Sequence, residues 1–236
     1  VADNIIGQVR EALNLLNFSL NEGAKFDSER TKKTFRFSMS DLSEFQILPS
    51  LLESVRKNAP QIHIYSYHVN RSDLIKAFSS GQLDLAIDAP LINDPNLCHI
   101  PLSSEDYVCV GRPDHPKLRA TITLEEYLAL DHIHVSSRRL GRGHVDVALS
   151  NLGLSRNIAV RLQHYVIPPG IIQHTDLVWT VPRGLADRLN FKTVELPFEM
   201  ATLDWHLYWN KSTDNDKANG WMRELLIETV VKLAEK

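Results

Sequence analysis

Two short polar clusters follow predicted strands and could bind an anion. The first is Ser40 and Asp41, which join the alternating stretch FRFSM (35–39) to a stretch with helical spacing that begins at Leu42. Short polar side chains at such a junction are typical of a helix N-cap. The same position would let the Ser40 hydroxyl and the first N–H groups of the helix bind an anion. The charge of Asp41 counts against a simple anion site, because it already complements the helix dipole.

The second cluster lies in the stretch VSSRRLGRGHVDVAL (135–149), where a predicted strand leaves into a loop and then a helix. Its candidate residues are Ser136, Ser137 and Arg138. We expect them to be the counterpart of Ser40 in a second lobe, facing the same ligand from the other side. The alternative is that they are only solvated loop residues.

Motifs of several other kinds of site are missing from the sequence. Gly141 and Gly143 form a GxG, but Asp146 stands where a dinucleotide-binding motif needs its third glycine. His132 and His134 share one face of a predicted strand with no further ligand at suitable spacing, so we predict no metal site. There is no G-x-S-x-G turn and no evident nucleophile, so we expect no enzyme activity and no cofactor.

The composition predicts a cytoplasmic protein that does not bind DNA through this chain. The 236 residues are 43% apolar and include 26 basic and 29 acidic side chains, with no basic run. Cys98 and Cys109 lack a CxxC pattern, which argues against a disulfide framework or a zinc site. No signal peptide or apolar run of about 20 residues is present, so we expect no membrane association. Because the chain begins with Val1, we interpret it as a fragment or a processed product.

The first 33 residues are predicted to be a linker helix and a hinge. Apolar side chains form one helical stripe between Ile5 and Leu20, and the polar stretch NEGAKFDSERTKK (21–33) follows. Such a separated helix cannot bury its stripe through local contacts, so we expect it to pack on another chain or domain.

Beyond the linker, strands and helices alternate in two sets. The first set places strands at 35–39, 62–69 and 83–89 with helices between them, which predicts a parallel sheet. The second set runs from about 123 to 181, and a strand at 203–209 and a helix at 215–236 close the chain. We therefore predict two Rossmann-like α/β lobes with a double crossover: lobe I from 34–110 and 205–236, and lobe II from 111–204. A ligand cleft is expected between the lobes, where strands end and helices begin.

Four stretches carry a family resemblance. They are FRFSMSDLSEFQILPSLLESVRKNAPQIHI (35–64), LIKAFSSGQLDLAI (74–87), YVCVGRPDHP (107–116) and HTDLVWTVPRGLA (174–186). Together they resemble the effector-binding region of LysR-type transcriptional regulators, with its linker helix, over essentially the whole chain. The stretches GHVDVAL (143–149), WHLYWN (205–210) and GWMRELL (220–226) are similar to the branch of naphthalene-pathway, nitrotoluene-pathway and nodulation regulators.

The resemblance implies a type II periplasmic-binding-protein-like fold and a sensing function. A small effector, which the branch implies is an aromatic acid, would bind between the lobes and change how subunits pack. The family further implies an antiparallel homodimer of regulatory domains, a tetramer for the full-length protein, and DNA binding through an N-terminal winged helix-turn-helix that this chain lacks. A two-lobed solute-binding protein for transport is the alternative, but the leading helix and linker favour the regulator.

The resemblance also implies further site residues. It places His164 and Tyr165 at the effector cleft, with the following segment that contains Ile167. Pro90 is a further candidate, and either Trp205 or His206 is expected to line the cleft where the chain crosses back. A histidine here could donate a hydrogen bond to a carboxylate or phenol, and its charge would respond near neutral pH. A purely structural role for His164 remains the alternative.

Overall fold

The computed structural model describes residues 26–90, 94–136 and 142–234, together with Val9 and Ala12. These residues form two compact units. The first contains the described residues up to Ser103 and those from Asp204 onward, and the second is Ser104–Leu203. Val9 and Ala12 are helical, while the rest of the predicted linker helix lies outside the described residues.

Strands and helices alternate in two sets, as the sequence predicts, except at two runs of consecutive strands. The first half contains β1 (Lys33–Ser38), α1 (Asp41–Asn58), β2 (Ile62–Tyr67), α2 (Leu74–Ser79), β3 (Leu85–Asp88), β4 (Leu97–Glu105) and β5 (Tyr107–Gly111). The second half contains α3 (Leu124–Leu128), β6 (Asp131–Val135), α4 (His144–Asn151), β7 (Asn157–Leu162), α5 (Pro168–Ile172), β8 (Val178–Pro182), α6 (Arg183–Ala186), β9 (Lys192–Glu195), β10 (Leu203–Asn210) and α7 (Lys217–Ala234). The consecutive strands are β3–β5 and β9–β10, and short 3-10 turns lie at Arg71–Asp73 and Lys211–Thr213.

The first unit contains a five-stranded sheet in the order β2-β1-β3-β10-β4. Strand β1 pairs in parallel with β2 and β3, and β10 pairs antiparallel to β3. The alternation in β1 buries Phe35 and Phe37 completely. Helix α1 packs against α7, and each helix buries one apolar stripe, including Leu51 of α1 and Leu226 of α7. The parallel strands therefore end at one shared edge, which is where the N-terminus of α1 lies.

The second unit has a sheet of the same design, in the order β7-β6-β8-β5-β9. Strand β6 lies parallel to β7 and β8, whereas β5 lies antiparallel to β8 and β9. Tyr127, Leu149 and Val178 are at the centre of its apolar core. The α/β prediction with two crossings is confirmed, because the chain passes from the first unit to the second and returns.

The first crossing lies earlier than the sequence analysis placed it. We expected lobe I to extend to residue 110, but β5 pairs with β8 and β9 and so belongs to the second sheet. Val108, Cys109 and Val110 are fully buried there. The alternation of a strand reveals which face is buried but not which sheet the strand joins, so the error has a physical cause. The return crossing, at Leu203/Asp204, lies within one residue of the expected 204/205.

Candidate functional site

The N-terminus of α1 is closed by a reciprocal serine pair. The Ser40 hydroxyl accepts from the Ser43 N–H at 3.2 Å, and the Ser43 hydroxyl accepts from the Ser40 N–H at 2.9 Å. A carboxylate oxygen of Asp41 accepts from the Leu42 N–H at 3.1 Å. The N-cap interpretation of Ser40 is confirmed. The hydroxyl oxygens of Ser40 and Ser43 also lie 3.0 Å apart, so a ligand at this end of α1 would have to share or replace the bonds of the capping box.

Pro90 and His206 lie near the same edge of the first sheet as Ser40. Pro90 follows β3, which is the parallel neighbour of β1, and its side chain is exposed. His206 of β10 lies opposite Asp88, the last residue of β3. Ser40 and Pro90 therefore follow the ends of two parallel neighbouring strands, and His206, within β10, lies beside the end of β3.

His206 contacts a second histidine within this unit. Its Nδ1 lies 3.0 Å from Nδ1 of His99, and the two rings lie 5.2 Å apart between centroids. The ring of Tyr208 stacks on His99 at 5.4 Å. Burial and the neighbouring His99 lower the pKa of His206. At neutral pH this side chain is therefore an uncharged donor or acceptor.

In the second unit, the predicted site residues follow β6 and β7, which are parallel neighbours. Ser136 comes directly after β6, and its N–H donates to the Leu162 carbonyl at 2.9 Å. His164 and Tyr165 follow β7, and the Tyr165 ring lies 5.6 Å from that of Trp179. Strand order thus brings Ser136 and His164 to one edge of the second sheet.

Ile167 begins the turn into α5 on that edge and is 47% exposed. Its N–H donates to the His164 carbonyl at 3.5 Å, which closes the loop between β7 and α5. Ser137 and Arg138 lie outside the described residues, so their predicted place beside Ser136 stays a prediction.

A charged network inside the second unit was missed by the sequence analysis. Arg156 Nε donates to Asp146 Oδ1 at 2.8 Å, and His134 Nδ1 lies 3.4 Å from Asp146 Oδ2. The Arg156 side chain is only 3% exposed. Burial alone would raise the pKa of Asp146, but the hydrogen bond and charge of Arg156 hold it below its usual value. The network ties α4 to β6 and to the residue that precedes β7.

Three uncharged titratable groups lie beside this network. Burial, with the nearby charge of Arg156, lowers the pKa of His132 to about 4. Burial raises the pKa of Tyr127 to about 12 and that of Cys109 to about 12. The Tyr127 hydroxyl bonds to Thr180 Oγ1 at 2.8 Å, and His132 Nε2 lies 2.9 Å from the Tyr127 carbonyl oxygen. These groups stay neutral at physiological pH.

Two concave sites lie on the second unit, apart from the predicted site residues. A groove of about 590 Å³, lined mainly by apolar side chains, lies between α4 and residues 197–201. A pocket of about 280 Å³ beside β7 is lined by arginine and serine side chains. Within the described part of the chain, no three His, Cys, Asp or Glu side chains converge on a metal position, and no helix could cross a membrane.

The family assignment comes from the sequence as a whole. The family model described as "LysR substrate binding domain" matches residues 28–230. The chain belongs to this family. It is the effector-binding domain of a LysR-type transcriptional regulator, a family of regulators rather than enzymes.

Individual relatives of this LysR-type domain agree with the resemblance. The HTH-type transcriptional activator NagR of Ralstonia sp is 29% identical over 92% of this chain and 73% of its own length. Nodulation protein D 3 of Rhizobium leguminosarum bv. phaseoli is 26% identical over 98% of this chain and 78% of its own length. The solved structure of probable transcriptional regulator PA0477 from Pseudomonas aeruginosa is 28% identical, covers 93% of this chain and 74% of that chain, and has a TM-score of 0.79.

Proposed function

We propose that this LysR-type domain senses a small aromatic acid, which contacts the candidate edges of both units. The observation that carries the proposal is the position of Ser40 and Pro90 after the parallel strands β1 and β3, with His206 beside the end of β3. Ser136 and His164 follow the parallel strands β6 and β7 of the second sheet in the same way. Ligands of open α/β sheets bind at such ends. An aromatic carboxylate would receive hydrogen bonds from hydroxyl and imidazole groups at its polar end.

Apolar and aromatic side chains at the same edges supply surface for the ring of the ligand. Ile167 and Tyr165 lie beside His164, and Pro90 follows β3. The effector-binding domain of BenM has been solved with its effector benzoate; it has the same fold, with a TM-score of 0.66 at 18% identity. That structure supports the proposal only at the level of the fold.

The proposal is tested with a panel of aromatic acids, including benzoate and salicylate, by thermal shift and isothermal titration calorimetry. We expect a saturable rise in melting temperature, because a ligand that binds only the native state stabilises it. The substitution His164→Ala should weaken binding at least tenfold. His174→Ala is the matched control, since His174 is also exposed in the second unit but follows α5. Equal affinities for the two variants would exclude the role of His164, and a panel without any binder would exclude the ligand class.

We propose that this domain forms a homodimer with a second regulatory domain, and that effector binding changes how the two subunits pack. Phe45 and Leu52 lie seven residues apart on α1 and are 42% and 36% exposed, so they share one helix face. Val147 and Leu152 are exposed on or next to α4. A second copy of the chain is the occupant that the family implies for these apolar side chains. Effector binding would alter the dimer through its different affinity for two arrangements.

Sedimentation velocity tests the dimer directly. Leu52→Asp should shift the protein toward monomers, because a charge would be buried at the interface. Val231→Asp, at a side chain that is 51% exposed on α7, is the control and should leave the dimer intact. A monomeric parent chain, or a dimer that tolerates Leu52→Asp, would contradict the proposed interface.

The remaining parts of the function concern the longer protein. We propose that the longer protein is a tetrameric, cytoplasmic regulator. An N-terminal winged helix-turn-helix would bind DNA, and the linker helix would join it to this domain. NagR, an HTH-type transcriptional activator of which this chain covers 73%, supports that proposal. The family match favours the regulator over the transport receptor that the fold alone would also allow.

A further inference from the structure

Two histidines of the first unit meet although 107 residues separate them in the chain. His99 lies on β4 and His206 on β10, which are neighbouring strands of the first sheet. Their contact exists only because the chain returns to this sheet, so no local spacing in the sequence could indicate it. The pair is distinct from His132 and His134, which lie together on β6 of the second unit.

The separation of the two ring nitrogens suits two ligands of one metal ion. Imidazole nitrogens bind Zn²⁺ at about 2.0–2.1 Å, so two of them on one ion lie about 2.9 Å apart at a right angle and about 3.3 Å apart at the tetrahedral angle. The Nδ1 atoms of His99 and His206 lie 3.0 Å apart, between these values. The same distance fits a hydrogen bond from one Nδ1 to the other. To bind an ion, each ring would turn about its Cβ–Cγ bond, which the exposed position of His99 permits.

A buried tyrosine supports both imidazole rings from one side. The ring of Tyr208 lies 5.4 Å from that of His99 and 6.1 Å from that of His206, between centroids, and is nearly parallel to both. Tyr208 is 2% exposed, and its hydroxyl donates to the Ala89 carbonyl at 3.3 Å. Rings that are packed in this way lose less freedom when they bind an ion.

The neighbouring carboxylate is already bound by an arginine. Asp88 lies opposite His206 in the sheet. Arg71 bonds both of its oxygens, with Nη2 at 2.6 Å from Oδ1 and Nε at 3.3 Å from Oδ2. The site therefore offers two protein ligands, in agreement with the absence of any converging set of three among the described residues. Water or a small anionic ligand would take the remaining positions of a four-coordinate ion.

We propose that His99 and His206 form a binding site for a divalent transition-metal ion of the copper, nickel or zinc type. Imidazole nitrogen suits these ions, and the general order of affinity places Cu²⁺ above Ni²⁺ and Zn²⁺. Mg²⁺ and Ca²⁺ prefer oxygen ligands and should not bind. The proposal does not depend on the proposed effector, because it requires only the contact between the two histidines.

The experiment is a calorimetric titration of this chain with NiCl₂ and with ZnCl₂ in a buffer that does not chelate metals, with MgCl₂ as the comparison ion. We expect saturable binding of one Ni²⁺ or Zn²⁺ at this site. His99→Asn and His206→Asn should each weaken binding at least tenfold, because a single imidazole cannot chelate. His63→Asn is the matched control, since His63 is exposed on β2 of the same unit, and it should bind like the parent. Far-UV circular dichroism checks that each variant is folded.

Electron paramagnetic resonance of the parent chain with one equivalent of Cu²⁺ identifies the ligands directly. We expect hyperfine splitting from two imidazole nitrogens in the parent and from one at most in His99→Asn. Equal affinities of the parent, His99→Asn and His63→Asn proteins would overturn the proposal and assign the ion to other histidines. A parent that binds none of the three transition metals would also overturn it and leave the hydrogen bond as the role of the pair. His99 is not among the candidate effector contacts, so loss of metal binding in His99→Asn is distinguishable from loss of an effector.

Discussion

Lowering the pH from 7.5 to 5.5 should destabilise the second unit through His132. The ring is completely buried, and its Nε2 lies 2.9 Å from the Tyr127 carbonyl oxygen, so Nε2 is assigned as the donor. Its Nδ1 is buried without a hydrogen-bond partner among the described residues. A proton added to Nδ1 would therefore bring a charge into an apolar site that already faces the charge of Arg156.

The loss of stability on lowering the pH follows from the difference between the pKa of His132 in the folded protein and in the unfolded chain. Burial lowers the pKa of His132 in the folded state from 6.5 to about 4. The unfolded chain takes up the proton near pH 6.5, so stability is lost as the pH falls through 6.5 toward 4. At about 1.4 kcal/mol per pKa unit, the loss is about 1.4 kcal/mol between pH 7.5 and 5.5 and about 3 kcal/mol by pH 4.

The measurement is urea unfolding at pH 7.5 and 5.5, followed by hydrogen exchange of peptides from the second unit. His132→Gln provides the comparison, because the glutamine amide can keep the donor to Tyr127 without titrating. The parent protein should lose about 1.4 kcal/mol more than this variant over the pH interval. His63→Gln, at an exposed position of β2, is the control and should behave like the parent. An identical pH dependence in the parent and His132→Gln would refute the reasoning.

Three other substitutions test contacts described above, each by equilibrium unfolding. Asp146→Asn should cost about 3–5 kcal/mol, because Arg156 would keep a buried charge without its partner; a cost below 1 kcal/mol would show that the pair is not buried. Ser43→Ala should cost about 1 kcal/mol, since it removes half of the capping box of α1, and an unchanged stability would contradict the reciprocal bonds. Tyr127→Phe should cost about 1–3 kcal/mol by leaving the Thr180 hydroxyl without its buried partner. In the Tyr127→Phe protein, the further substitution Thr180→Val should lower the free energy of unfolding only slightly. Fully additive effects of the two substitutions would contradict a direct bond between the two hydroxyl groups.

Much of the first unit could be predicted from local pattern. The FRFSM alternation predicts β1, and the stretch SDLIKAFSSG (72–81) predicts a short helix that is capped by Ser72 and ends at Gly81. Gly81 does follow α2, where its φ of +64° suits a residue without a side chain. The start of α2 was predicted wrongly. Ser72 lies inside a 3-10 turn, and the helix begins only at Leu74. An α-helical turn and a 3-10 turn place side chains at nearly the same spacing, so the local sequence does not distinguish between them.

The edges that carry the candidate site could be predicted because they depend only on strand order. Once β6 and β7 are parallel neighbours, Ser136 and His164 must lie near one another. The buried network could not be predicted, because Asp146 and Arg156 lie on different elements and share no periodicity. The sequence shows Asp146 only as a residue that breaks a glycine motif. Strand β9 was also missed, since four residues are too few for an alternation to be distinctive.

The connectivity of the two sheets has a consequence for the synthesis of the protein. Every strand of the second sheet lies between Tyr107 and Glu195, whereas the first sheet contains β10, and α1 is covered by α7. On the ribosome, the N-terminal unit must therefore wait with an unfinished sheet while the second unit is made, and the second unit can complete its own first. The usual order of folding from the N-terminus is reversed. During that interval β3 exposes an open edge, so the nascent chain is most vulnerable to wrong strand pairing just before β10 emerges.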